Sequence, residues 1–99
     1  MKDDVVDDRE RERLVIVGED GAEAELFYER DSDRLYLIHT EVPPAFRGQG
    51  TGGRLVAAAL AVAGDEGLTV VPWCPFARRW LRAHPDRVGN VRVDWEGQL

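Results

Sequence analysis

A glycine-rich segment in the middle of the chain has the composition of an anion-binding turn. Residues 47–53 read Arg-Gly-Gln-Gly-Thr-Gly-Gly and lead into an alanine-rich stretch. The first amides of a helix have no partner within the helix, and the helix dipole adds partial positive charge at the same end. Glycine leaves these amides accessible, and the arginine can add a bidentate contact. The segment therefore predicts a phosphate or pyrophosphate site, although a simple tight turn would also use glycine.

Two well-known phosphate motifs fit this segment poorly. A P-loop requires Lys followed by Ser or Thr after its last glycine, whereas Gly53 is followed by Arg54 and Leu55. Residues 48–53 do match the dinucleotide pattern G-x-G-x-x-G. That pattern needs a carboxylate about 20 residues further on, at the end of the next strand. The chain has Val-Pro-Trp-Cys at 71–74 instead, so this match is weak.

Three other side chains could take part in group transfer. Cys74 follows a predicted strand and precedes a predicted helix, whose N-terminus favours a nucleophilic thiolate. A buried, inert side chain or a pocket-lining role is the alternative for this cysteine. His39 could be a general base for an amine, and Glu41 could remove a proton directly or through water. A half-buried structural histidine and a solvent-facing carboxylate are the alternatives.

Three predicted strands precede the glycine-rich segment and would position His39 and Glu41. They span residues 14–17, 22–29 and 34–42, and an Asp-Gly pair typical of hairpins joins the first two. Consecutive strands with tight turns form an antiparallel meander. Strict alternation in the third strand divides its side chains between two faces. One face would carry Leu35, Leu37, His39 and Glu41, and the other Tyr36, Ile38, Thr40 and Val42.

Helices and one more strand are predicted after the glycine-rich segment. Residues 54–63 are alanine-rich and predict a helix. The apolar run 68–71 predicts a central strand, which a β-helix-β crossover would place parallel to the third strand. Residues 75–83 carry one apolar stripe and predict a second helix. Residues 88–95 alternate weakly, which allows an edge strand there.

The composition is that of one small folded domain. The chain has 99 residues, of which 43% are hydrophobic and 32% charged, and we expect only residues 1–11 to be frayed. No apolar run reaches the roughly 18 residues of a membrane span, and the N-terminus lacks the apolar stretch of a secretory signal. We therefore expect a cytoplasmic protein without a membrane partner. A formal net charge of −6 argues against nucleic-acid binding.

Two smaller features limit the function further. Arg78, Arg79, Arg82 and Arg87 cluster late in this acidic chain, either as a solvated helix face or as a positive rim for an anionic ligand. The single cysteine excludes an internal disulfide and a multi-cysteine zinc site. No His, Cys and carboxylate cluster has the spacing of a metal site.

The loop and its surroundings together resemble one acetyltransferase family. Residues 47–52 have the form R-x-x-G-x-G, which resembles the coenzyme A pyrophosphate loop of the GNAT N-acetyltransferase superfamily. The segments 39–44, 71–76 and 84–85 (HTEVPP, VPWCPF and HP) look like the very short YjdJ-type branch of that superfamily. The resemblance covers about residues 14 to 86, which is most of the chain.

This resemblance implies a GNAT-like α/β fold with a mixed sheet, and it implies acetyl-CoA binding. The pantetheine arm would lie where the strand ending near Val42 separates from the strand at 68–71. Its thioester would point toward His39, Glu41 and Cys74. The residues implied in donor binding are Val42, Arg47, Gly48, Gln49, Gly50, Thr51, Gly52, Gly53 and Cys74.

The implied activity is transfer of the acetyl group to an unidentified primary amine on a small molecule or peptide, directly or through an acetyl-Cys74 intermediate. Larger GNAT enzymes carry additional helices near the start and additional strands near the end, which shape the acceptor pocket. This chain is too short for both. The acceptor site could therefore be open, completed by a protein partner, or absent. In the last case the chain would be a non-catalytic acyl-CoA-binding module or partner subunit.

Overall fold

A computed structural model describes residues 5–97, which form one five-stranded sheet with helices packed on it. The strands are β1 (Val6–Asp8), β2 (Arg13–Val17), β3 (Glu23–Arg30), β4 (Arg34–Glu41) and β5 (Thr69–Pro72). The helices are α1 (Thr51–Glu66), α2 (Pro75–Ala83) and α3 (Pro85–Val88), and a 3-10 turn spans Pro44–Phe46. This arrangement confirms the predicted α/β class.

The strands lie in the sheet in the order of the sequence. Each of β1 to β4 pairs antiparallel with its neighbour, and β5 pairs parallel with β4. The predicted meander and parallel strand are therefore confirmed, with α1 as the crossover that parallel pairing requires. The prediction that β5 is central is wrong, because β5 ends the strand order.

Helix α1 forms because its sequence favours a helix and offers one apolar side to the sheet. Its buried apolar side chains are Leu55, Val56, Ala59, Leu60 and Ala63. The helix ends at Gly67, whose φ of +70° is left-handed, and the Leu68 amide donates to the Ala63 carbonyl at 2.9 Å. This ending turns the chain directly into β5.

A single core lies between the helices and one face of the sheet. Its fully buried side chains include Leu14, Leu26, Leu35, Leu37, Leu55, Val56, Val70 and Leu81. All three helices contribute side chains to this core or pack against it. Within residues 5–97, no helix covers the opposite face of the sheet, which we call the open face.

A β-bulge interrupts the pairing of β3 with β4. Phe27 pairs with His39, but the next residue of β3, Tyr28, pairs with Leu37. Ile38 is therefore the additional residue of β4. A bulge leaves one residue unpaired and reverses the alternation of side chains beyond it.

The bulge corrects the predicted faces of β4. Before it, Leu35 and Leu37 point into the core. Beyond it, Thr40 pairs with the core residue Leu26, whereas His39 and Glu41 lie on the open face. The prediction that His39 and Glu41 share a face with the two leucines is wrong, because it assumed an unbroken ladder.

The N-terminal segment is more structured than the sequence predicts. Residues 1–4 lie outside the described part of the chain. From Val6 onward, the prediction of a frayed N-terminus is wrong. There β1 pairs with the residues 13–15 of β2. The Tyr28 hydroxyl donates to Asp7 at 2.5 Å, and burial of the phenol together with this bond raises the pKa of Tyr28. The contact ties β1 to β3 across β2.

The C-terminal segment differs from the predicted edge strand. Pro85–Val88 is a short helix, and the segment after it contacts β5 at one bridge between Val93 and Val70. Val70 donates to the Arg92 carbonyl at 2.9 Å and accepts from the Asp94 amide at 2.8 Å. The segment therefore lies along β5 without forming a full strand.

Candidate functional site

The glycine-rich loop connects β4 to α1 through two left-handed residues. Gly48 has a φ of +78° and Gly50, the residue that caps α1, a φ of +68°. A Cβ atom at either position would meet no atom within 4 Å. Backbone conformation therefore requires these two glycines, and the space beside them is open to a ligand.

The amides at the start of α1 are free to bind an anion. The first hydrogen bond of the helix runs from the Arg54 amide to the Gly50 carbonyl at 3.1 Å, and no side chain caps the helix. Within residues 5–97, five amides of this region donate no hydrogen bond. They belong to Gly48, Gly50, Thr51, Gly52 and Gly53. Unpaired amides around a helix N-terminus suit a phosphate group.

The last two glycines of the loop have a different role. A Cβ atom on Gly52 would lie 2.7 Å from Cζ of Phe76, and one on Gly53 would lie 2.5 Å from Nε1 of Trp80. Both distances are shorter than real contacts allow. These glycines let α2 pack against the first turn of α1, a packing role that the sequence did not predict.

Among the polar side chains of the loop, Gln49 and Thr51 form hydrogen bonds within the chain, whereas Arg47 is exposed to solvent. Gln49 donates through Nε2 to the Ala45 carbonyl at 3.3 Å, so its side chain braces the preceding 3-10 turn. Arg47 is exposed, and its guanidinium forms no ion pair within the described residues. Thr51 is buried and accepts a hydrogen bond at Oγ1 from Arg54 at 3.3 Å. Arg47 is thus the available cation at the mouth of the loop.

Cys74 lies where β5 ends and α2 begins. Its side chain is only 2% exposed, and its amide donates to the Leu37 carbonyl at 2.8 Å. The sulfur lies 3.3 Å from Oγ1 of Thr40, within hydrogen-bond distance. The bulge in β4 creates this contact, because it turns Thr40 into the core.

His39 and Glu41 form a pair on the open face of the sheet. Nε2 of His39 lies 3.1 Å from Oε2 of Glu41, and the two side chains are 57% and 63% exposed. The imidazole ring stacks on Phe27 with ring centroids 6.3 Å apart. The structure therefore brings His39 and Glu41 together, but it places Cys74 on the other side of β4.

The pairing of β4 with β5 ends before β4 reaches His39 and Glu41. The strands pair from Arg34 and Thr69 to Leu37 and Pro72, after which β5 ends and β4 continues to Glu41. Val42, just beyond this end, is 40% exposed. We call the region where β4 continues past the end of β5 the slot; Cys74 and Thr40 lie on its core side.

Comparison with known proteins identifies the family of this chain. Residues 13–91 match the family described as GCN5-related N-acetyl-transferase. The chain belongs to this acetyltransferase family. The curated relatives include Protein NATD1 of Gallus gallus and of Mus musculus, each 36% identical over 63 residues, which are 63% of this chain and 57% of the relative. Protein NATD1 of Homo sapiens has the same identity over 63 residues, 56% of its length. The matched part thus spans little more than half of these relatives.

Membership in the GCN5-related family confirms the resemblance seen in the sequence. Acetyltransferases of this family use acetyl-CoA. In the described residues, the loop of this chain has five amides without a hydrogen bond and open space beside Gly48 and Gly50, features that suit a diphosphate.

Two residues of the candidate site were not predicted from the sequence. Thr40 contacts the Cys74 sulfur, and Ile38 forms the bulge that turns Thr40 inward. Neither residue belongs to a recognisable motif, because a β-bulge in an apolar strand requires no particular residue type in the sequence. The sequence signal that could have found them is the adjacency of two polar residues, His39 and Thr40, in an otherwise alternating strand.

Among residues 5–97, no three His, Cys, Asp or Glu side chains are grouped so that they could hold a metal ion. The helices of the same segment are too short or too polar to cross a membrane.

Proposed function

We propose that this chain binds acetyl-CoA with residues 47–53 and transfers the acetyl group to a primary amine. The observation that carries the proposal is the set of five amides at the start of α1 without a hydrogen bond in the described chain. The helix dipole adds positive charge at that point, and Arg47 can contact a phosphate oxygen pair. Val42 and Cys74 would border the pantetheine arm in the slot between β4 and β5.

The proposed reaction needs an amine with a free lone pair. When bound, acetyl-CoA supplies a thioester whose acetyl carbon bonds to the amine nitrogen while its carbon–sulfur bond breaks and coenzyme A leaves as the thiol. His39 accepts one proton from the ammonium form of the acceptor. The second proton, which the nitrogen loses on acylation, completes the thiol.

The geometry around His39 favours this role as a base. A carboxylate can only accept, so the contact with Glu41 assigns the ring proton to Nε2 and leaves Nδ1 with its lone pair. Glu41 then orients the ring and stabilises the imidazolium, as the carboxylate of a catalytic triad does. Because both side chains lie on the open face, an acceptor can reach them from solvent.

Cys74 has a different place in this proposal. Its sulfur is buried, contacts Thr40 and lies on the opposite side of β4 from the base. Direct transfer to the amine is therefore favoured over an acetyl-Cys74 intermediate, and the thiol lines the slot near the thioester. Intact-mass analysis after incubation with acetyl-CoA separates the two routes, because only the intermediate adds an acetyl group that Cys74→Ala removes.

Binding is tested by titrating acetyl-CoA into the wild type and into Gly50→Asp. Asp tolerates the left-handed conformation, but at this position its carboxylate would occupy and repel the diphosphate site. We expect affinity to fall at least about tenfold, the value of one lost charge-assisted hydrogen bond. The matched control is Gly67→Asp, which adds the same charge at a φ of +70° at the other end of α1. Equal affinity of the two variants would contradict the loop assignment.

Turnover is tested by measuring release of the coenzyme A thiol with a panel of primary amines. His39→Ala and Glu41→Gln should lower kcat about 10²-fold or more, the usual contribution of a general base, and leave acetyl-CoA affinity unchanged. Binding without release for any amine would favour the alternative, a non-catalytic acyl-CoA-binding module. The contact between His39 and Glu41 on the open face is the observation that favours the enzyme over that module.

A further inference from the structure

A second cluster of polar side chains lies beside the glycine-rich loop and has no part in the function proposed above. It consists of Trp80, His84 and Arg87 from α2 and α3, and we call it the Trp80 shelf. The rings of Trp80 and His84 stack with centroids 4.2 Å apart and an interplanar angle of 19°. The Arg87 guanidinium lies over the same indole, with Cζ 5.5 Å from the ring centroid.

The Trp80 shelf begins in contact with the first turn of α1. Nε1 of Trp80 lies so close to Gly53 that a Cβ atom there would be 2.5 Å away. Gly53 carries one of the five amides without a hydrogen bond in the described chain. A ligand whose phosphate binds these amides would therefore have the shelf as its neighbour on the α2 side.

Arg87 is an unpaired cation in an acidic chain. Arg9, Arg13, Arg30 and Arg34 all form ion pairs with carboxylates. Arg87 forms none within residues 5–97, although Asp86 precedes it and the chain has 19 acidic against 13 basic residues. A lack of carboxylates does not explain this, and the guanidinium keeps its donors for another anion.

His84 supports the indole of the shelf. Nδ1 lies 2.8 Å from the Trp80 carbonyl, which can only accept, so the ring proton is on Nδ1. This bond fixes the imidazole plane against the indole. The Arg87 guanidinium over the same indole is suited to a phosphate monoester.

We propose that Arg87, supported by His84, binds the 3′-phosphate on the adenosine of coenzyme A. This inference rests on the proposed function, since it assumes that the loop holds the diphosphate of the same molecule. In coenzyme A the diphosphate and the 3′-phosphate are attached to one ribose. Trp80 contacts Gly53, and Arg87 lies over Trp80, so one ligand can place its diphosphate at the loop amides and its 3′-phosphate at the shelf.

The test compares the affinity of coenzyme A with that of 3′-dephospho-coenzyme A by calorimetric titration. The wild type should bind coenzyme A about tenfold more tightly, as expected for one charge-assisted contact. Arg87→Gln should bind the two compounds equally, with the affinity that the wild type has for the dephosphorylated form. The matched control is Arg82→Gln, because Arg82 lies over a different indole, Trp95, at 4.7 Å. This control should keep the tenfold preference.

Two outcomes would overturn the inference and leave the proposed function intact. One is equal affinity of the wild type for both compounds. The other is a loss of preference in Arg82→Gln as large as in Arg87→Gln, which would show only an effect of net charge. Failure of the proposed function is recognised separately, because the wild type would then bind neither compound. Thermal unfolding of each variant confirms that the exposed substitutions leave the fold in place.

Discussion

In the loop, glycines that border open space lie within a few residues of glycines in close packing contact. Gly48 and Gly50 are left-handed and border open space, whereas Gly52 and Gly53 are helical and border aromatic rings. The sequence predicted the loop and its unbonded amides, because free amides and missing side chains are local properties. It could not assign the last two glycines, since their partners in α2 are more than 20 residues away along the chain.

Gly53→Ala tests the packing role of this glycine. Alanine gains about 1 kcal/mol of helix propensity over glycine, but overpacking a close contact costs about 1–3 kcal/mol. With its Cβ 2.5 Å from Trp80 Nε1, we expect a net loss of stability of about 1 kcal/mol. Chemical denaturation of Gly53→Ala, Trp80→Phe and the double variant measures the coupling between the two positions.

The double variant decides whether the indole causes this loss. Phenylalanine is smaller than tryptophan and lacks Nε1, so in Trp80→Phe the additional methyl group should cost little or stabilise the helix. Strict additivity of the two single changes would show that Trp80 is not the obstacle.

At the scale of elements, the bulge in β4 decides which side chains can cooperate. Alternation correctly predicted β3 and the first half of β4, where the ladder is regular, and a β-rich composition predicted β2. It failed beyond Ile38, because one additional residue moves every later side chain to the other face. The sequence thus identified His39, Glu41 and Cys74 as chemical candidates but not their separation. Tertiary pairing with Phe27 and Tyr28 decides that point.

The end of α1 is joined to the sheet by a pair of arginines. Glu66 accepts from Arg30 Nη1 at 2.5 Å and also contacts Arg9. Hydrogen bonds from Arg30 and then from Arg9 hold the pKa of Glu66 below its ordinary value of 4.5. When folding lowers the pKa of a carboxyl group, the charged group stabilises the fold at pH values above its pKa in the unfolded chain. This stabilisation is lost as the pH falls through the pKa of the folded state.

Glu66→Gln should therefore have a lower thermal midpoint than the wild type at pH 7. The difference between the two midpoints should become smaller once the pH is below 4.5. Scanning calorimetry from pH 7 downward measures both midpoints. Asp65→Asn removes the same charge one residue earlier, from a side chain with no ion pair among residues 5–97, and should show no such narrowing. A deficit that stays constant with pH would argue that the arginine contacts are not its cause.

At the scale of the whole molecule, two sets of arginines differ in their surroundings. The first set, Arg9, Arg13, Arg30 and Arg34, pairs with carboxylates, whereas the arginines of α2 and α3 form no ion pair in the described chain. The second group consists of Arg78, Arg79, Arg82 and Arg87. This difference gives the α2–α3 region of an acidic protein a local positive surface. The sequence located this cluster but could not tell a solvated helix face from a ligand rim, because pairing is a property of the folded chain.

Because of this difference, Arg13→Gln should lower stability, whereas Arg79→Gln, which removes the same charge, should not. Arg13 contacts Asp8 at 3.2 Å, Glu23 at 3.0 Å and also Glu25, and its side chain is 12% exposed. These three carboxylates raise the pKa of Arg13, so the charged guanidinium is the form that stabilises the sheet. Arg13→Gln leaves three neighbouring carboxylates without their cation and should lower the thermal midpoint.

Salt distinguishes this electrostatic cause from lost packing. In about 1 M salt the Debye length is about 3 Å, so the repulsion among the three carboxylates is screened and the deficit of Arg13→Gln should shrink. Arg79→Gln removes the same charge from an exposed side chain that forms no ion pair in residues 5–97, and its midpoint should match the wild type at low and high salt. If both variants lost stability equally, the paired and unpaired arginines would not differ in role. A deficit of Arg13→Gln that persists in high salt would instead assign its effect to the packing of its aliphatic stem.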